Sequence, residues 1–369
     1  MFIRHLFLPL ACVVGLCLVS CERLGPVEDT AGMEVSEDRW PVSISIGGAC
    51  DTGTKATGIS YSTDEAPVVR WVCMIYRDDE VSPVYRLYSS DGSVSMNRNM
   101  AVGHYTAVVV ANYPESGETS IRQDRMYTRQ ELLSRITPIT DNRRGSFVMF
   151  GMQEFDVAAD VENKVTINIK RLVSKVSVGS VSVDFEKAAL QTKSAVLKSI
   201  FLTNIYRSSR YGSDLLSSEL SASVSNWYNA MGPYTGGAAV ADIDALVSDT
   251  GINHVLQTAG GTSRQAMTTQ HVFYTYPNPR LKADDTRSAD WCLRSTRLVM
   301  EVEIDGRLYY YNVTMPDMAR NIHYNVASVV IKDLGSIHPE QDIPGSTEVT
   351  FGVQLQDSWD YTYNVNEES

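Results

Sequence analysis

Leu298-Val299-Met300-Glu301-Val302-Glu303-Ile304 and Arg307-Leu308-Tyr309-Tyr310-Tyr311-Asn312-Val313 flank the dipeptide Asp305-Gly306. Two strand-like runs joined by Asp-Gly are the strongest short-range hairpin signal, because the two-residue turn needs positive φ at both central positions. A chain that carries this signal beside a run of similar patterns is expected to be built from antiparallel sheets.

The same period of two recurs in both directions from the hairpin. Val42, Ile44 and Ile46 alternate with Ser43 and Ser45. Tyr105, Ala107, Val109 and Ala111 share one face of a second run, and Val165, Ile167 and Ile169 alternate with Thr166 and Asn168. Val349, Phe351, Val353 and Leu355 form a last apolar face, followed by Trp359, Tyr361, Tyr363 and Val365 on another. Strict alternation places successive side chains on opposite faces of a half-buried strand.

Helix signals are few. Thr128 and Glu131 have capping-box spacing, and Leu132, Leu133 and Ile136 supply the apolar stripe of a short helix. The run 188–197 fits either state. Residues 208–261 are rich in Ser, Ala, Gly and Tyr with weak periodicity, which predicts long loops and small helices on a sheet scaffold. The fold class is therefore all-β, with two β-sandwich domains and few short helices. A boundary near Glu162 gives a first domain over 39–161 and a second over 162–369.

The first residues read as an export signal. Arg4 precedes an apolar run from Leu6 to Leu18, too short to span a bilayer, which takes roughly 20 residues. It ends in Leu18-Val19-Ser20-Cys21, a small-residue cleavage site before a cysteine. That pattern is a lipobox, so residues 1–20 are expected to be a lipoprotein signal peptide and Cys21 the lipid site on an outer-membrane precursor. Residues 21–38 are polar and acidic and read as a flexible tether.

The 369 residues carry a formal charge of −12, a poor electrostatic match to nucleic acid. Of six cysteines, Cys12 and Cys17 leave with the signal and Cys21 takes the lipid. Cys50, Cys73 and Cys292 remain, an odd set without CxxC spacing, which argues against a disulfide framework or a zinc site. Cys73 sits within the strand-like run Trp71-Val72-Cys73-Met74-Ile75-Tyr76 and reads as a buried small apolar residue.

Several stretches in this order resemble the fimbrillin family, the subunits of Bacteroidetes fimbriae. They are Val68-Val69-Arg70-Trp71 to Tyr76, the run from Met100 to Val110-Ala111-Asn112, and the junction Ile169-Lys170-Arg171-Leu172-Val173-Ser174-Lys175-Val176. Phe273-Tyr274-Thr275-Tyr276-Pro277-Asn278, and Tyr309-Tyr310-Tyr311-Asn312-Val313 followed by Arg320-Asn321-Ile322-His323-Tyr324-Asn325-Val326, complete the set behind the lipobox. The resemblance implies two transthyretin-like sandwiches and assembly with other fimbrial subunits by strand exchange. The sequence offers no motif for a cofactor or a metal, and none is expected. A peptidase removes the tether and first strand, and another subunit's C-terminal segment fills the groove.

On that pattern Val42, Ile44 and Ile46 form the displaced strand, and Lys55-Ala56 occupies the processing position. Family members are typically cut after Arg there, so Lys departs from the pattern. Arg39-Trp40 is a second candidate, although a cut there would leave the first strand attached. The donor segment is 348–369, with Val349, Phe351, Val353 and Leu355 as its plugs. A chain left uncut stays lipidated with its groove filled, which suits a membrane-retained anchor. The bland alternative is that the last strand pairs within its own domain.

Enzyme readings are weaker. Asp51-Thr52-Gly53 and Asp249-Thr250-Gly251 repeat the paired triplet of aspartic peptidases, in which two carboxylates share a proton. The second follows a polar Ser248 instead of a buried apolar strand. There is no HExxH, P-loop, GxSxG or EF-hand pattern. His104, His254, His271, His323 and His338 lack metal-ligand spacing. A carbohydrate-binding surface lipoprotein is a further reading, since the 19 tyrosines allow aromatic stacking on sugars, although tyrosine is also a common strand residue.

Overall fold

The hairpin forms as its turn dictates: Ile304 pairs with Arg307, and Asp305 and Gly306 take φ of 50° and 80°. The structure, a computed structural model, describes residues 38–47, 65, 67–78, 80–213, 227–229, 238–239, 246–278, 295–339, 341, 343–351 and 361–362.

The first part of the chain gives β1 (Arg39–Gly47), β2 (Trp71–Arg77), β3 (Tyr85–Ser89), β4 (Ser95–Ala101), β5 (Gly103–Ala111), helix α1 (Arg129–Ser134), β6 (Ile136–Pro138), β7 (Met149–Val157), β8 (Asn163–Asn168) and β9 (Lys170–Arg171). Next come β10 (Ser174–Val178), β11 (Val181–Val183), β12 (Ala195–Thr203), β13 (Ile205–Tyr206), β14 (Ser208–Arg210), β15 (Trp227–Asn229), β16 (Ala238–Ala239) and β17 (Ser248–Gln257). The last are β18 (His271–Thr275), β19 (Arg297–Ile304), β20 (Arg307–Thr314), β21 (Ile322–Ile331), β22 (Thr347–Phe351) and β23 (Tyr361–Thr362). The fold is all-β.

Two sheets use only strands up to Arg171: β4-β1-β8 and β3-β2-β5-β7-β9. From Ser174 onward the sheets are β11-β21-β10-β18, β17-β12-β19-β20 and β13-β15-β16, with β22 and β23 on β21. One small pairing crosses between the two sets, β6 with β14. The Val165 strand, β8, therefore pairs with β1 and not with later strands. A boundary at Glu162 would cut β8 from its partner. The change of sheets falls between Arg171 and Ser174, where Leu172 still donates to the Val148 carbonyl.

Burial explains the strand order. In β2, Trp71 to Tyr76 are all buried, and β5 is buried from Tyr105 to Ala111. Both are interior strands covered on both faces, so they read as near-continuous apolar runs. The expected one-faced alternation of Tyr105, Ala107, Val109 and Ala111 captures half of what is buried in β5. Cys73 lies fully buried, and burial pushes its thiol pKa up, as suits a core residue. Val42, Ile44 and Ile46 belong to the same hydrophobic cluster as these two strands.

Three local expectations change. The capping box of Thr128 and Glu131 forms with both reciprocal hydrogen bonds, but α1 ends at Ser134 and Ile136 opens β6. Of the expected helical stripe, Leu132 is buried and Ile136 is exposed. Within 188–197, β12 starts at Ala195. Within 208–261, the described residues hold the ten-residue β17 and three shorter strands. Tertiary pairing with β12 overrides the weak local pattern there.

Candidate functional site

Strand β1 is the middle strand of its sheet. It runs antiparallel to β4, from Arg39↔Ala101 to Ser45↔Ser95, and parallel to β8, from Val42↔Asn163 to Gly47↔Asn168. Ser45 Oγ reaches the Val165 carbonyl at 3.3 Å and Thr166 Oγ1 at 2.9 Å. Val42 and Ile44 are each 1% exposed and Ile46 is 6% exposed. At about 1.5–3 kcal/mol per buried branched side chain, the three apolar plugs contribute roughly 5–9 kcal/mol. Without β1, the facing backbone groups of β4 and β8 lose their partners, and a slot with three apolar positions at two-residue spacing opens. Such a slot is a template for another strand.

The chain leaving β1 enters 48–64, which holds Lys55 and Ala56 and lies outside the described residues. So do Cys21 and the signal, Asp51-Thr52-Gly53, Cys50 and Cys292. The chain re-enters the described fold at Glu65, which is held hard. Lys175 Nζ donates to both Glu65 carboxylate oxygens at 2.7 and 2.9 Å. Tyr274 Oη donates to Oε1 at 2.5 Å, and Arg171 Nε donates to the Glu65 backbone carbonyl at 2.8 Å. Arg171 Nη1 also reaches Asn321 Oδ1 at 3.2 Å. Burial, followed by the Glu65 charge, pushes the Tyr274 phenol pKa up. Just beyond, Asn112 accepts from Val69 N and donates to the carbonyls of Pro67 and Phe147.

This polar clamp joins strands on both sides of the Arg171–Ser174 change of sheets. Strand patterns do not reveal it. The trace in the sequence is Arg171, the second of two charges between Ile169 and Leu172, which turns out to be 1% exposed while Lys170 is exposed. A charge inside an apolar junction needs a partner, and the partner lies far away in the chain.

The C-terminal segment is found on its own sheet. Strand β22 pairs antiparallel with β21, Val349 opposite Val329 and Phe351 opposite Val326, with a bulge between Val326 and Ser328. Val349 is half-buried and packs against the core. Strand β23 adds to β21 in parallel. Val353 and Leu355 lie outside the described residues. The pairing within its own sheet is thus the arrangement seen for Val349 and Phe351.

The groups that suggested chemistry are engaged otherwise. Asp249 lies on β17, not in a loop, and its Oδ2 meets His271 Nδ1 at 2.7 Å. Ser177 Oγ contacts His323 Nε2 at 2.7 Å and donates to Asn325 Oδ1 at 2.8 Å. Ser177 and His323 are 0% and 1% exposed, a polar pair inside the sheet. Among the described residues no group of three or more His, Cys, Asp or Glu is placed to hold a metal ion.

No family model and no curated protein matches the chain by sequence. Solved structures do match in fold. A fimbrillin (FimA) from Porphyromonas gingivalis shares 15% identity, with TM-score 0.56, over 84% of this chain and 96% of its own. A candidate cell adhesion protein from Bacteroides eggerthii matches at TM-score 0.58 and 16% identity, over 87% of this chain and 97% of its own. One from Parabacteroides distasonis matches at TM-score 0.58 and 14% identity, over 85% and 98%. The structural neighbours of this chain are thus fimbrillins and candidate adhesion proteins of Bacteroidetes.

Proposed function

We propose that the chain is a structural subunit of a cell-surface fimbria that supports adhesion. On this reading it is exported as a lipoprotein precursor, carries lipid at Cys21 on the outer membrane, and is cut after Lys55 by a processing peptidase. It polymerises when a neighbouring subunit's C-terminal segment replaces β1. The fold is read as two transthyretin-like sandwiches that divide between Arg171 and Ser174.

The observation that carries the proposal is the place of β1. It is an interior strand with three buried plugs, and its covalent link to the rest of the fold runs through 48–64, where Lys55-Ala56 stands. A cut there leaves Glu65 held by Lys175, Tyr274 and Arg171, while β1 keeps only non-covalent ties to this part of the fold, its two ladders and its three buried side chains. The FimA neighbour supports the fibre reading at the level of fold.

A filled groove with β22 on its own sheet also suits an anchor subunit that is never cut. The donor assignment has a direct test that leaves β22 intact. The double variant Val353→Asp, Leu355→Asp should be exported and folded yet absent from sheared fibres. Incorporation of that variant at the wild-type level would refute the donor role.

A further inference from the structure

Arg70 at the foot of β2 and the connection from β5 to α1 line an open-sided cavity of about 540 Å³, bordered by Arg70, Tyr113, Glu115, Ile121, Arg122 and Asp124 among others. We infer that this cavity is a binding site for neutral saccharides.

The connection, residues 112–128, contains no strand or helix. Loops longer than about 12–15 residues without secondary structure are uncommon in compact domains and are usually functional. This one is fixed to the core at many points. Tyr113, Ile121 and Tyr127 are buried. Tyr76 Oη donates to the Tyr127 carbonyl at 2.9 Å, and the Arg122 backbone N–H donates to Tyr127 Oη at 3.1 Å. Arg135 Nη2 holds the carbonyls of Glu118 and Ser120 at 2.8 and 2.6 Å. A loop whose backbone is held this firmly lowers the ordering cost of binding.

The charges at the cavity cancel. Arg70 pairs with Glu115 at 2.5 Å, and Arg122 grips Asp124 through two bonds of 3.0 and 2.6 Å. Among the lining residues two cations stand against two carboxylates, so the lining itself carries no net charge. What remains is a set of planar guanidinium donors beside carboxylate acceptors, each with spare capacity. Neighbouring hydroxyl groups, each both donor and acceptor, meet that pattern directly. Gln123 Nε2 donates to Tyr113 Oη at 3.3 Å and adds an amide of the same kind. The volume lies within the range of about 300–1,000 Å³ usual for ligand pockets. The inference does not rest on polymerisation. In a fibre, however, one such site per subunit would make weak contacts multivalent.

The test is the full-length protein on an array of neutral oligosaccharides, alongside sialylated and sulfated ones, followed by titration calorimetry with the best neutral binder. Arg122→Ala and Glu115→Gln change residues that are 67% and 77% exposed at the side chain, so thermal unfolding should not move. Each variant should weaken neutral-glycan binding by about tenfold or more, the scale set by losing one charge-assisted contact. Absence of neutral-glycan binding, binding confined to acidic glycans, or binding indifferent to both variants would each overturn the inference. None of these outcomes bears on whether the protein enters fibres.

Discussion

Glu65 and Lys175 stand 110 residues apart in sequence, yet the lysine ammonium bonds both oxygens of the carboxylate. Their side chains are 6% and 12% exposed. Removing one partner from such a pair strands a buried charge, which typically costs about 3–5 kcal/mol. Glu65→Ala should therefore lower stability by that order in a denaturant titration. Lys175→Met in the Glu65→Ala background should recover much of the loss. An additive double variant would mean that the two side chains do not act as a pair.

Ile44 tests the hold of β1. It is 1% exposed between two ladders, and truncating a buried isoleucine to alanine costs about 2–5 kcal/mol. Ile44→Ala should destabilise by that order. Ser43→Ala, half-buried on the opposite face of β1, removes only a hydroxyl and should cost less, about 1 kcal/mol or below. Equal effects at the two positions would show that β1 does not plug the sheet through one face.

Two glycines separate strain from crowding. Gly306 takes φ of 80°, with open space where a Cβ would go, whereas at Gly261 a Cβ would sit 2.1 Å from the Gln191 carbonyl oxygen. Gly306→Ala should cost about 1–3 kcal/mol, from backbone strain alone. Gly261→Ala should cost more, since the neighbouring backbone must also move. Thermal unfolding of the two variants reads the order directly, and a reversed order would contradict it.

Asp184 gives a pH signature. Lys332 Nζ at 3.1 Å and Arg264 Nη1 at 3.0 Å hold its carboxyl below the usual range, Lys332 first. A carboxyl whose folded pKa is depressed adds stability that is present above its unfolded value, about 3.9, and is lost as pH falls through the lower folded value. Unfolding midpoints measured from about pH 6 down to pH 2 should therefore fall less steeply below about pH 4 in Asp184→Asn than in the parent. Identical slopes would exclude the contribution.

The sequence shows the strands better than it shows what joins them. Alternation at Val42, Ile44 and Ile46 finds a buried face because a sheet covered on one side repeats every two residues. The Asp305-Gly306 turn and the Thr128 cap are legible because their chemistry is local. β17 is not, since its pairing with β12 carries bulges and its composition resembles a loop. The Glu65 clamp is out of reach for a different reason. Its members come from five places in the chain, and only folding shows that Arg171 and Asn321, 150 residues apart, meet. The Asp249-Thr250-Gly251 triplet shows the converse risk, where a short pattern matches but its carboxylate faces a histidine.

The central claim is that β1 fills a groove meant for another subunit's strand. The most direct measurement is the mature N-terminus of the protein in sheared fibres, by mass spectrometry. The account predicts a start at Ala56, so that β1 has left and the groove has been refilled in trans. Protein that starts at acylated Cys21 and stays in the membrane fraction, with β1 still attached, would contradict the exchange and leave a non-polymerising anchor.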